Sequence, residues 1–310
     1  MSRDRSICLK NIRRDQLLIL MVLPVVIYFI VFAYLPMYGL IIAFKDYSPG
    51  RGIWGSPWVG FIHFKQFFGG FFFSRLLRNT LLISIYTIIF GFPVPILFAL
   101  LLNEFKDGFF KRSIQTISYL PHFISLVVIC GMIINFLSPQ NGIINIILEK
   151  FIGKRINFMA EARWFRFIYV GSGIWQEFGW RSIIYLAALS GIDPNLYEAA
   201  KIDGAGRLSQ LWHISLPGIK ATIITLLILA VGNMMSVGFE KIILLYRPTT
   251  YETADVISTY VYRIGLASVS GTSPQYSFSA AVGFFNSIIN MFFLLSCNWI
   301  SKKLSNYSIW

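Results

Sequence analysis

Six apolar runs limit what this chain can fold into. They cover Leu17–Phe44, Thr80–Leu102, Thr116–Leu137, Phe165–Leu189, Ile219–Phe239 and Ser279–Ile300. A hydrocarbon core about 30 Å thick takes roughly 20 apolar residues as a helix. Inside lipid the backbone finds no water, and a helix satisfies its N–H and C=O groups within one segment. The expectation is an all-α membrane protein. Six transmembrane helices would lie over 17–300, with one tail over 1–16 and another over 301–310. Pro24, Pro36, Pro93, Pro95 and Pro121 fall in or near the runs, which predicts kinked helices packed on one another.

Composition narrows the class. Of 310 residues, 56% are hydrophobic and 13% charged, against about 25% charged in a soluble domain. Two soluble domains would lack the charged surface to stay dissolved, and a disordered chain would lack this apolar content. Cys8, Cys130 and Cys297 are too scattered for a disulfide framework or metal site and read as free thiols. The net charge of +13 sits in loops between the runs, which suits lipid headgroups better than nucleic acid. Each face carries 13 Lys and Arg, but those of the N-terminal face lie in shorter segments, including Arg3, Arg5, Lys10, Arg13 and Arg14. That density favours both termini inside. The first run is too long for a signal peptide and has no small-residue cleavage site.

The loop over 190–218 is the most informative segment. Asp193 before Pro194 signals a helix start, and Asn195–Ile202 reads as one short helix. Gly204 and Gly206 break it. Arg207–Ile214 reads as a second helix, with Leu208, Leu211, Trp212 and Ser215 on one face and Pro217 at its end. Such a pair suits a groove on a partner; the alternative is a helix lying flat on lipid.

Polar residues inside the runs are the candidate pathway. Glu177 and Arg181 stand four residues apart, beside Trp175, Gln176 and Trp180. They line a solute path or pair within the helix. Asn233 and Ser236 lie in the fifth run, with Glu240 and Lys241 just beyond it, and Asn286 and Asn290 share a face of the sixth. Buried amides either hold helices together or meet solute hydroxyls. His63, His122 and His213 are far apart. No phosphate loop or dinucleotide fingerprint is present, so the chain carries no nucleotide site of its own.

The loop also resembles the EAA loop of permease subunits of bacterial ABC importers. The pattern falls on Glu198, Ala199, Ala200, Gly204, Ile214, Leu216 and Pro217, with Asp203, Gly204 and Ala205 as the frequent DGA. YLPMYGLIIAFKDY, SPWVGFIHFKQFF, RLLRNTLLISIY, QTISYLPHFIS and TYETADVISTYVYRIGL are similar to the carbohydrate-uptake branch, and within it to the lipoprotein-associated type of Gram-positive bacteria.

The resemblance implies the ABC type I importer permease fold with cytoplasmic coupling helices, in the bacterial cytoplasmic membrane with both termini cytoplasmic. It implies an ATPase dimer that binds ATP and Mg, a second and non-identical permease, and an extracytoplasmic sugar-binding lipoprotein. Glu198 would contact the ATPase, with Ala199, Ala200, Asp203, Gly204, Ala205, Leu208 and Trp212 building the coupling surface. The substrate would be an oligosaccharide. The excess of basic residues in the outer loops points to an acidic one. A membrane-embedded glycan enzyme lacks its paired acids or metal cluster. A stand-alone ion-coupled carrier lacks inverted repeats and would leave the EAA loop without purpose. An ABC permease for a non-sugar solute is the nearer alternative.

Overall fold

The computed structural model describes residues 16–266 and 274–305. The N-terminal basic residues, with Cys8, lie outside the described residues, as do 306–310. All regular structure described is helical, apart from one antiparallel bridge between Lys45 and Trp58. The chain divides into two compact units. One comprises residues up to Phe68 together with Ile264–Phe284; the other comprises Gly69–Arg263 together with residues from Phe285 on.

In the smaller unit, α1 (Gln16–Phe44) is apolar over 29 residues, and its most hydrophobic stretch buries nothing against protein. That is the surface of a helix made for lipid. After it, Lys45 Nζ donates to the Ile53 carbonyl at 2.8 Å, and Asp46 N donates to the Pro57 carbonyl at 2.9 Å. These bonds fold the next loop back onto the helix end. Helix α2 (Ile62–Phe68) places Phe64 in a small core with Ala43 and Ala281, and Phe44 stacks on Trp58 with centroids 5.7 Å apart.

The larger unit holds α3 (Phe73–Asn103), α4 (Phe109–Phe123), α5 (Leu126–Phe136), α6 (Ile143–Ile152), α7 (Ala162–Ser190), α8 (Pro194–Ile202), α9 (Arg207–Gly218), α10 (Lys220–Gly232) and α11 (Phe239–Leu245). Helix α12 (Ile257–Gly265) and the long α13 (Tyr276–Ser305) follow. Two cores flank α7. One gathers Phe165, Cys130, Val237 and Ile242; the other gathers Tyr185, Leu189, Ile96 and Ile219.

Among the described residues, three helices are long and apolar enough to cross a bilayer, and up to five if each of two bent pairs counts as one span. The expected six are not reached by this measure. The fourth run does form a continuous helix, α7, of 29 residues and about 43 Å. Its Arg163, Arg166, Glu177 and Arg181 keep it below the hydropathy of a lipid-facing span. The third run is not one rod either. Helices α4 and α5 meet at 97°, because Pro121 supplies no N–H and Ile124 and Ser125 are extended.

Prolines leave a repeated mark. Wide π turns at Ile30–Tyr34, Thr87–Gly91 and Leu211–Ser215 each end two residues before a proline: Pro36, Pro93 and Pro217. A proline ring collides with the carbonyl four residues back and offers it no donor. A widened turn just ahead relieves both problems without ending the helix. Pro217 therefore does not terminate its helix as expected. Helix α9 runs through it to Gly218 and then bends 59° into α10.

At one end of this unit a buried carboxylate organises the loops. Asp255 is fully buried and takes both guanidinium nitrogens of Arg263, at 3.2 and 2.8 Å. Thr259 Oγ1 adds a bond at 2.9 Å, and Arg75 lies at 3.5 Å. Asn79 Nδ2 donates to the carbonyls of Asp255 and Glu252, and its Oδ1 accepts from Arg166, which ties α3 and α7 to the same segment. Removing one partner of a buried pair typically costs about 3–5 kcal/mol. Asp255→Asn should therefore lower the melting temperature of the detergent-purified protein sharply; an unchanged value would contradict the clamp.

Helices α4 and α7 cross at Gly179. A Cβ there would sit 2.5 Å from the Ser118 carbonyl carbon, so the backbones approach as only glycine allows. Gly179→Ala should cost about 1–3 kcal/mol through overpacking, read as a lower melting temperature. Equal stability would show that the crossing can relax.

Candidate functional site: a coupling loop and a polar cavity

The coupling loop is built as a rigid corner. The Asp193 carboxylate caps α8 by accepting from Asn195 N at 2.9 Å. At the far end Gly204 adopts φ +78°, in the left-handed region. Gly204 N then donates to the Lys201 carbonyl at 3.1 Å, and Ala205 N to the Ala200 carbonyl at 2.8 Å. These two bonds are the paired closure of a helix end that needs a left-handed residue. The EAA and DGA residues thus include the acceptor, the turn and the donor of one structural device. Gln210 Nε2 donates to the Ala205 carbonyl at 2.8 Å, and Tyr197 shares a hydrogen bond with Ser215 at 2.9 Å. The first bond ties α9 to the turn, and the second holds α8 against α9.

The outer surface of that corner is uncovered. Ile202 is 86% exposed, Leu208 75% and Trp212 62%. Glu198, Ala199, Asp203 and Gly204 are also exposed, while Ala200 and Ala205 are half-buried. The predicted apolar face splits. Leu208 and Trp212 turn outward; Ser215 is buried and Leu211 packs against the core around Tyr185. The widened turn at Leu211–Ser215 rotates the second half of the face inward.

The second feature is a cavity of about 560 Å³ between α3, α7, α10 and the segment after α10. Ser84, Thr87, Tyr169, Arg181, Asn233 and Ser236 contribute its polar wall. A further lobe of about 280 Å³ shares Thr87, Tyr169 and Arg181 with it and adds Gln176, Glu177 and Lys241. Helix α7 supplies Gln176, Glu177 and Arg181 because residues four apart lie on one face.

The sequence-predicted pathway residues divide between places. Glu177, Arg181 and Asn233 line the cavity. Glu177 stands between His122, 3.2 Å from Nδ1, and Arg181, 3.7 Å from Nε. Trp180 stacks on His122 with centroids 4.5 Å apart. Trp175 lines a separate apolar groove with Ile129, Met132 and Ser172. Asn290 accepts from Met235 N at 2.8 Å and donates to Ser236 at 2.7 Å, so it anchors the chain beyond α10 to α13. The Asn286 amide oxygen is buried without a partner. Glu240 is exposed, whereas its neighbour Lys241 is buried and donates to the Tyr169 carbonyl at 3.1 Å. His122 and Lys241 were not singled out by the sequence as pathway residues. No group of His, Cys, Asp and Glu suited to a metal occurs among the described residues.

Comparison with known proteins places this arrangement. Residues 91–306 match the model of the family described as binding-protein-dependent transport system inner membrane component. Protein LplB of Bacillus subtilis (strain 168) is 44% identical over 292 residues, covering 94% of this chain and 90% of that protein. The polygalacturonan/rhamnogalacturonan transport system permease protein YteP of the same strain is 45% identical over 297 residues, covering 96% and 91%. Among solved structures, a chain of a bacterial ABC transporter involved in the import of the acidic polysaccharide alginate superposes with a TM-score of 0.87. It is 45% identical, with 96% of this chain and 99% of that chain covered. The same alginate transporter in complex with an alginate pentasaccharide-bound periplasmic protein matches with the same TM-score. The chain therefore belongs to the family of binding-protein-dependent transport system inner membrane components and has the ABC type I importer permease fold.

Proposed function

We propose that this chain is a membrane-spanning permease subunit that moves an acidic, polysaccharide-derived oligosaccharide into the cell by alternating access. The observation that carries the reading is the coupling corner. It is rigid, apolar at its tip, uncovered, and continuous through one bend with α10, which lines the polar cavity. An exposed Ile202, Leu208 and Trp212 rimmed by Glu198 and Asp203 suits a groove on a partner. That partner is an ATPase dimer, which binds ATP and Mg; the sequence of this chain carries no phosphate loop.

Closure of the ATPase dimer would push on α8 and α9. The bonds Gln210–Ala205 and Tyr197–Ser215 keep the corner from collapsing. The push passes through the 59° bend into α10 and shifts Leu229, Ala230 and Asn233 against α3 and α7. Rigid elements on either side of a bend suit a two-state rocking motion. Asn290, bonded to Met235 and Ser236, would carry the same motion to α13.

A second, non-identical permease would face the open side of the cavity, and a sugar-binding lipoprotein would deliver substrate from outside. The complex of the alginate transporter with its loaded periplasmic protein supports that arrangement. The named substrates of YteP and of the alginate transporter, both acidic polymers, support the substrate class. In this reading α7 and the two bent pairs complete six crossings, and both termini lie in the cytoplasm with the coupling loop.

Tagged wild-type protein purified from native membranes in mild detergent should bring down an ATPase and a second permease, with ATPase activity. Glu198→Arg should lose the ATPase while retaining the second permease. A wild-type chain that emerges alone from several detergents would point instead to a stand-alone carrier.

A further inference from the structure

Lys241 is a buried charged residue on the cavity wall. It is 7% exposed, yet its ammonium makes only one hydrogen bond, to the Tyr169 carbonyl at 3.1 Å, and lies 5.1 Å from the Tyr169 ring centre. An ammonium has three donors. No carboxylate is within ion-pair distance of it among the described residues. The nearest acid on the wall, Glu177, is held by His122 and Arg181. Taking a charge out of water without a counter-ion costs several kcal/mol. A position that retains such a charge at the edge of a cavity has a use for it.

The wall around this lobe carries two cations, Lys241 and Arg181, against the single carboxylate of Glu177. Arg181 also lines the larger lobe, so it stands where the two lobes meet. Gln176 adds an amide beside them. A surplus positive charge on a cavity wall attracts an anion. An ammonium offers a point charge and a guanidinium a planar fork, and both match a carboxylate.

We propose that Lys241, with Arg181 beside it, is the carboxylate-recognising site of the cavity and selects acidic over neutral sugars during passage. This rests on the oligosaccharide-importer reading above. Lys241 touches the transported sugar acid; Glu177 holds Arg181 in place and balances the site when it is empty. Release follows when rocking of α10 reshapes the larger lobe, which Arg181 also lines.

The test is equilibrium dialysis on the purified permease–ATPase complex without its binding protein. The probes are trigalacturonate and its uncharged methyl ester, which keeps the same sugar skeleton. Wild type should bind the acid roughly tenfold tighter than the ester. Lys241→Met should bring the two affinities close together, and Lys241→Arg should restore most of the difference. Arg181→Gln carries the same expectation should Lys241→Met fail to assemble. Equal weakening of acid and ester in Lys241→Met, or an unchanged ratio, would overturn the proposal and leave Lys241 a helix clamp through Tyr169. Wild type that binds ester as well as acid would overturn the proposal alone. Wild type that binds neither would overturn the acidic-oligosaccharide reading and the proposal with it.

Discussion

A helix that carries Gln176, Glu177 and Arg181 within two turns cannot lie against hydrocarbon, and the packing of the larger unit follows from that. Helix α7 is long enough to cross a bilayer and buries residues against protein from Phe165 to Leu189. Its one face packs Tyr185 and Leu189 against Ile96, Ala99 and Ile219, and its N-terminal end packs Phe165 with Val237 and Ile242. The remaining polar stripe needs water or solute beside it, and the cavity supplies that space. The most lipid-compatible helix, α1, shows the opposite arrangement: it is apolar throughout and leaves its most hydrophobic stretch uncovered.

The second constraint is mechanical. A lever must keep its shape under load, and the coupling corner is held by a capped helix start, a left-handed turn at Gly204, a bond from α9 to that turn and a bond between its short helices. Proline placement serves the same end at Pro217. The widened turn ahead of it lets the helix continue, so displacement of Trp212 is not absorbed before the bend at Ile219. At the other end of the unit, Asp255 with Arg263, Arg75 and Thr259 locks the loops to α3 and α7.

The first, second and sixth runs were legible as apolar spans because length and hydropathy are local properties. The corner was legible because Asp193-Pro194 and Gly204 are strong local signals. Less was legible where a long-range contact decides. The 97° elbow after α4 depends on extended backbone at Ile124 and Ser125, which an unbroken apolar run conceals. Lys241 and Glu240 looked alike in sequence; the irregular stretch between α10 and α11 breaks the helical period, so nothing local says which one turns inward. The Asp255 clamp joins residues about 180 positions apart and leaves no trace in spacing. The pairing of His122 with Glu177 spans 55 positions and is equally silent.

The central claim is that the corner and the cavity move as one device. The direct measurement is the sidedness of Asn233→Cys, in a background without Cys8, Cys130 and Cys297, in the complete transporter reconstituted in vesicles. Labelling by a membrane-impermeant thiol reagent would be compared between the nucleotide-free state and a state trapped with vanadate and ATP. The account predicts that the accessible side switches between the two states, and that Glu198→Arg abolishes the switch. The same side labelled in both states would contradict it.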